Sequence, residues 1–423
     1  VSATRVLAEF VAGAAAGQDA TVSLLDTLCA AIAGQATPFG AVVSALVEED
    51  LGAGPVPVIG LDATVPAAWA AWASAGLAHA SGMDDTACYG AAGAPVWSAL
   101  LATAHREGRL EAAPMMDAFG VGVRAASALW RAGRYRQADR GFDGTSVFGG
   151  IAAAAACARL LGLSAEACAG ALSIAASHAG GLVANVTGGA RAAHAASAAH
   201  AGVLAASLAA DGYAGAKDVF EARQGFGEAF FGRAGLERLA DELDRPAVVK
   251  AGSVPGHADH QPVVRAVRSL LARAGADVPQ AGDTFAANLV SAGADVLLVE
   301  VTGVPATSEG LSVDIPVTPE QELVSLRHTL TRLVTSRPEI VIGVNSRWHD
   351  SETLVRLRLS TGEELTATVG EEGATPDEVL AKWRLAEADP ALPPAVRSRI
   401  GLVLDHWTER PLRVNDLFSA TLG

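Results

Sequence analysis

Apolar residues recur at three- and four-residue spacing through the first two-thirds of the chain, a pattern that predicts helix after helix over residues 1–268. Thr4–Ala16 and Thr21–Ile32 carry it first, and Gly-rich breaks stand at Gly52-Ala-Gly54 and Gly90-Ala-Ala-Gly93. Ser146–Leu161 is predicted as a helix stopped by Gly162. Ser164 then caps the next, with Glu166 in its first turn, where a negative charge suits the helix dipole. That helix is expected to end near Gly180-Gly181, and another, Ala190–Ala210, to run from Gly188-Gly189 to Asp211-Gly212.

The texture changes after about residue 285. Val296–Thr302 and Glu339–Asn345 are rich in Val, Ile and Leu. Leu354–Leu359 alternates apolar and basic residues, Ser360-Thr-Gly362 reads as a turn, and Leu365–Val369 alternates again. These runs predict a small sheet with at least one hairpin. Pro319–Val334 reads as an amphipathic helix, Thr375 as the cap of a helix through Ala386, and Pro394–Trp407 as a final helix.

Composition narrows the function classes. Half of the 423 residues are apolar but only 5% are aromatic, and alanine at this density implies closely approaching helices. A net charge of −15, with no Lys/Arg run, argues against nucleic acid, whose phosphates need a basic surface. Cys29, Cys88, Cys157 and Cys168 show no CxxC or metal-ligand spacing, and are expected to be buried thiols in a reducing cytoplasm, with Cys88 the exception to watch. The most apolar windows, such as Ile151–Leu163, are short and Ala-rich, so neither a signal peptide nor a membrane partner is expected.

Two segments carry the candidate chemistry: His79-Ala-Ser-Gly-Met-Asp-Asp-Thr86, and Gly141-Phe-Asp-Gly-Thr-Ser-Val147, which runs through a helical stretch to Gly-Gly-Ala-Arg191-Ala-Ala-His194. With Ala169–Leu182 and Gly225–Phe230 they resemble the MmgE/PrpD superfamily, which includes 2-methylcitrate dehydratases, cis-aconitate decarboxylases and an iminodisuccinate epimerase. The resemblance implies a mainly α fold with an α+β part: a large all-helical domain (1–268, completed by 391–423) and a smaller inserted α+β lid (269–390), with the active site in the cleft between them. It also implies a homodimer, and catalysis without metal or cofactor.

Position by position, the chain departs from the family's expected chemistry. In the first block Asp84, Asp85 and Thr86 remain, but the leading Asp is Gly82 and the His six residues after Thr86 is Ala92. Asp84 and Asp85 are candidate catalytic carboxylates and Thr86 a substrate-binding hydroxyl; the alternative is that an Asp here caps a helix. In the second block the family's His is Asp143. A like-charge contact with a carboxylate substrate at ~4 Å and an effective dielectric near 20 costs about 4 kcal/mol. Asp143 is therefore expected either to be neutralised by Arg140 or Arg191 or to face a less anionic substrate. Arg191 stands where relatives have Lys; it shares a helix face with His194 and is expected to bind a carboxylate, or else to pair with an acid such as Asp143. Lys250 matches a family Lys, and His260, or its rival His257, a later His. His328 falls on a family Tyr in the lid.

Lys250, Asp143 and His328 thus join Asp84 and Asp85 as candidate catalytic residues; Thr86, Arg191, His194, His257 and His260 are candidate substrate-binding residues. The resemblance implies proton abstraction next to the carboxylate or carbonyl of a small acid. The expected function is a divergent cofactor-free lyase or isomerase in specialised metabolism that does not dehydrate methylcitrate. The alternative is an inactive binding or partner protein that keeps the fold.

Overall fold

The computed structural model describes residues 2–14, 19–134, 136–186, 188–232, 236–252, 261–274, 296–305, 339–345, 354–368, 373–390, 392–408, 416 and 419–421. It is mostly helical with small sheets. In chain order the described helices are α1 (Ala3–Gly13), α2 (Thr21–Gly34), α3 (Pro38–Glu49), α4 (Ala67–Ala80), α5 (Gly93–Glu107), α6 (Ala112–Ala132), α7 (Arg136–Asp139), α8 (Gly144–Leu161), α9 (Ala165–Ala176), α10 (Arg191–Ala210), α11 (Phe226–Phe231), α12 (Leu239–Leu243), α13 (Gln261–Arg273), α14 (Pro376–Ala388) and α15 (Pro394–Thr408). The chain divides into two compact units, Val1–Lys250 with Pro393–Gly423, and Ala251–Leu392.

The helical unit is organised around α8, which lies between α6 and α10. Every residue of α8 from Gly144 to Ala158 is buried. It is long and apolar enough to cross a membrane, but 89% of it is buried inside the protein, which marks a core helix. Small residues set how closely its neighbours approach. A Cβ added at Gly122 on α6 would stand 2.4 Å from the Ala152 carbonyl oxygen, and one at Gly202 on α10 would stand 2.3 Å from the Ala153 methyl. Larger side chains at these contacts would push the helices apart.

Local signals fix the helix ends. Ser164 accepts from the Ala167 N–H at the start of α9, and Gly162 closes α8 in the left-handed conformation at φ 71°. The predicted start of α8 at Ser146 moves back by two residues, because Asp143 is the cap and accepts from the Ser146 N–H. Trp97 stacks on Phe119 at 4.4 Å and donates its indole N–H to the Ser23 hydroxyl at 3.0 Å, which ties α5 to α2 and α6. Phe142 packs edge-on against Phe230 at 4.9 Å and so seats the residue before Asp143 against α11.

Two short hairpins belong to this unit: β1 (Val56–Pro57) with β2 (Thr64–Val65), and β3 (Thr86–Ala87) with β4 (Gly90–Ala91). The second unit contains a four-stranded sheet of β5 (Val296–Pro305), β6 (Glu339–Asn345), β7 (Leu354–Leu359) and β8 (Glu364–Thr368), in the order β6-β5-β7-β8. β5 pairs parallel to β6 and antiparallel to β7, and β7–β8 is the hairpin expected from alternation about Gly362. Thr375 and Glu378 form a reciprocal capping box on α14. The helix predicted over Pro319–Val334 lies outside the described residues.

Candidate active site

Backbone and side-chain links draw the motif segments of the helical unit into one closed circuit. Lys250 and Thr86 exchange both backbone hydrogen bonds, at 2.7 and 2.9 Å. Thr86 pairs with Ala91 across the β3–β4 hairpin, and the Ala91 N–H donates to the Thr145 hydroxyl at 3.0 Å. Two residues before Thr145, the Asp143 carboxylate lies 2.7 Å from Nδ1 of His194. One turn earlier on α10, Arg191 donates from Nη1 to the His79 carbonyl at 2.8 Å. His79 Nδ1 in turn lies 2.7 Å from Asp84, two residues before Thr86. The structure thus brings together Asp84, Thr86, Asp143, Arg191, His194 and Lys250 among the sequence-derived candidates. His257, His260 and His328 lie outside the described residues.

The arrangement contains two buried carboxylate–imidazole pairs. In the first, α4 ends at Ala80 and the chain reverses through Gly82 at φ 69°, which returns Asp84 to His79. The left-handed turn favours glycine at this position. Burial would push the Asp84 carboxyl up, but His79 and Arg191 reverse this and hold it below its ordinary value. Burial and the Arg191 cation hold His79 below the ordinary imidazole value, against the pull of Asp84. Both directions are met by an ionised Asp84 accepting from the Nδ1–H of a neutral His79, with Arg191 supplying the balancing positive charge.

The second pair gives Asp143 a partner that the sequence did not suggest. Its hydrogen-bonded partner is His194, and the same Oδ2 accepts from the Ser146 N–H at 3.1 Å. The Arg191 guanidinium goes to the His79 carbonyl and forms no contact ion pair among the described residues. The Asp143 carboxylate thus meets an imidazole nitrogen and the N-terminus of a helix.

Asp85 points the other way, into the core. It is fully buried, and its Oδ1 accepts from the Gly93 N–H, the first residue of α5, at 2.5 Å. Burial and Asp26 push its carboxyl up to about 8, against the hydrogen bonds from Ser23 and Gly93. Its geometry is that of a protonated structural acid that ties the motif loop to α2 and α5. Ala92, in place of the family's His, is completely buried.

His79 is the residue that sequence reasoning passed over: it opens the first motif but received no role, and only its five-residue spacing to Asp84 hinted at the pair. Cys29, Cys157 and Cys168 are buried and Cys88 is exposed. Burial drives the Cys157 thiol up to about 12 and the Cys168 thiol to about 11, so both remain protonated. A cavity of about 310 Å³ bounded by Phe220, Glu221, Glu228 and Glu237 includes none of the candidate catalytic or substrate-binding residues.

The model of the MmgE/PrpD N-terminal domain matches residues 5–239, more than half of the chain. The protein belongs to the MmgE/PrpD family, as the two motif segments suggested. It is 34% identical over 171 residues to cis-aconitate decarboxylase of Homo sapiens, a stretch covering 39% of this chain and 36% of the human protein. It is 32% identical over 183 residues to cis-aconitate decarboxylase of Mus musculus, covering 42% and 37% respectively. The chain spans a little over a third of the length of these relatives.

Proposed function

We propose that this protein is a cofactor-free lyase or isomerase of the MmgE/PrpD type that removes a proton next to the carboxylate or carbonyl of a small acid. The observation that carries this reading is the closed circuit, in which an arginine and two carboxylate-bound imidazoles meet among residues buried in the helical unit. Arg191 spends one N–H on the His79 carbonyl and has further donors for a substrate carboxylate. Arginine keeps its proton at all working pH values, so its part is binding and charge compensation, not proton transfer. Lys250 joins Thr86 at the same place through the backbone.

The substrate is proposed to differ from 2-methylcitrate and cis-aconitate, because Gly82, Ala92 and Asp143 replace an acid and two imidazoles of the family pattern. The lid role of residues 269–390, a homodimer and a cytoplasmic setting belong to the same proposal. The test is a thermal-shift screen of small mono- and dicarboxylic acids against wild type and Arg191→Ala. At least one acid should stabilise the wild type, by about 2.7 kcal/mol at one hundred times its Kd, and should lose that effect in the variant. No shift with any acid would favour the inactive binding-protein alternative.

A further inference from the structure

The geometry points to His194 as the base of this site, with Nε2 as the proton-accepting atom and Asp143 as its positioning residue. This rests on the proposed function and goes beyond it by assigning the proton to one atom. The Nδ1 edge of His194 is committed to Asp143 at 2.7 Å, while Nε2 has no hydrogen-bond partner among the described residues. An ionised carboxylate on Nδ1 fixes the Nδ1–H tautomer, which leaves the lone pair on Nε2. Asp143 is itself held as the cap of α8, through Ser146 on the same oxygen that meets the ring, and its N–H donates to the Gly181 carbonyl at 3.1 Å. The carboxylate therefore cannot swing away without uncapping a core helix.

Gly181 provides the second observation. It lies at φ 89°, and a Cβ there would fall 2.5 Å from the Ser146 hydroxyl and 3.3 Å from Nε2 of His194. Glycine at 181 thus keeps a side chain from crowding Nε2 from this direction. Arg191 stands one helical turn before His194 on the same face of its helix, and its guanidinium is anchored on the His79 carbonyl.

The step balances within these groups. The C–H bond next to the substrate carboxylate breaks, its proton forms N–H at Nε2, and the electron pair delocalises into the carboxylate, whose added charge Arg191 offsets. The new imidazolium is balanced by Asp143. Return of a solvent-derived proton to the same carbon completes an exchange cycle without any further reactant.

Two readouts test the assignment. Wild type, His194→Gln and Asp143→Asn are incubated in D₂O with a panel of small mono- and dicarboxylic acids, and loss of the C–H signal is followed by proton NMR. In parallel, ¹⁵N-histidine-labelled protein reports the tautomer of each ring. Asn at 143 preserves the cap, so the fold is retained while the ring loses its charged partner. We expect exchange by wild type, a loss of at least about 100-fold in both variants, and an Nδ1–H tautomer for His194 that is lost in Asp143→Asn. Exchange that persists in His194→Gln overturns the assignment, as does an Nε2–H tautomer in the wild type. If no acid exchanges with the wild type, the proposed function is what fails, and the tautomer decides whether His194 is set up as a base.

Discussion

Asparagine at position 85 should flatten the dependence of stability on pH. The Asp85 carboxyl is fully buried on the motif loop, faces Asp26 of α2 and its neighbour Asp84, and is held at about 8 against 3.8 in the unfolded chain. A folded-state value raised above the unfolded one means that the associated stability is intact below about 3.8 and is lost as pH climbs to about 8. In that window unfolding releases a proton, and each pH unit costs about 1.4 kcal/mol. Between pH 5 and pH 7 the wild type should therefore lose up to about 3 kcal/mol more than Asp85→Asn. The amide keeps an acceptor for the Gly93 N–H, offers donors toward Asp26 and has no proton to release. Urea titrations followed by tryptophan fluorescence at pH 5, 6, 7 and 8 measure the difference. Parallel pH profiles for the two proteins would refute the assignment of a neutral Asp85.

Gly181→Ala should lower the unfolding free energy by roughly 1–3 kcal/mol, because alanine at φ 89° is strained and its methyl meets Ser146; differential scanning calorimetry against wild type checks it, and an unchanged midpoint counts against the close approach. Purified protein should turn over neither 2-methylcitrate nor cis-aconitate at about 1 s⁻¹, an ordinary enzymatic rate; coupled or NMR assays decide, and turnover at that rate would force the first and second motif blocks to be realigned. Light scattering at micromolar concentration should give twice the 42.8 kDa chain mass, and a monomeric mass would remove the homodimer from the proposal.

Much of the helical framework was legible because its signals are local. Ser164 is a cap with Glu166 in the turn that follows, Thr375 is a cap with Glu378 three positions on, and Gly162 sits where a left-handed stop is needed. The chemistry was less so, because its partners are distant in sequence. Asp143 read as an acid that either pairs with Arg140 or Arg191 or faces a less anionic substrate, and nothing near it announces that a histidine 51 residues later returns to hydrogen-bond with it. That pairing exists only because α8 and α10 pack closely enough to bring the start of one beside the first turn of the other. His79 and Asp84 meet through a turn at Gly82, a position legible as a lost acid and not as a required left-handed residue. The fate of Asp85, a buried structural acid, depends on α2, which its own neighbourhood does not contain.

The small-residue seam along α6, α8 and α10 has an entropic consequence. Alanine and glycine have essentially no side-chain rotamers to lose, whereas a seam of leucine or methionine would give up roughly 0.5–2 kcal/mol for each residue ordered. Folding at this seam therefore freezes backbone alone, and it brings backbone next to backbone, as at Gly202 and Ala153. Tolerance to substitution should be one-sided as a result. Trimming Ala153 to glycine removes a methyl and about 1 kcal/mol of helix propensity. Enlarging it to valine both adds rotational freedom that must be lost and drives α8 from α10, whose first turn holds Arg191 and His194.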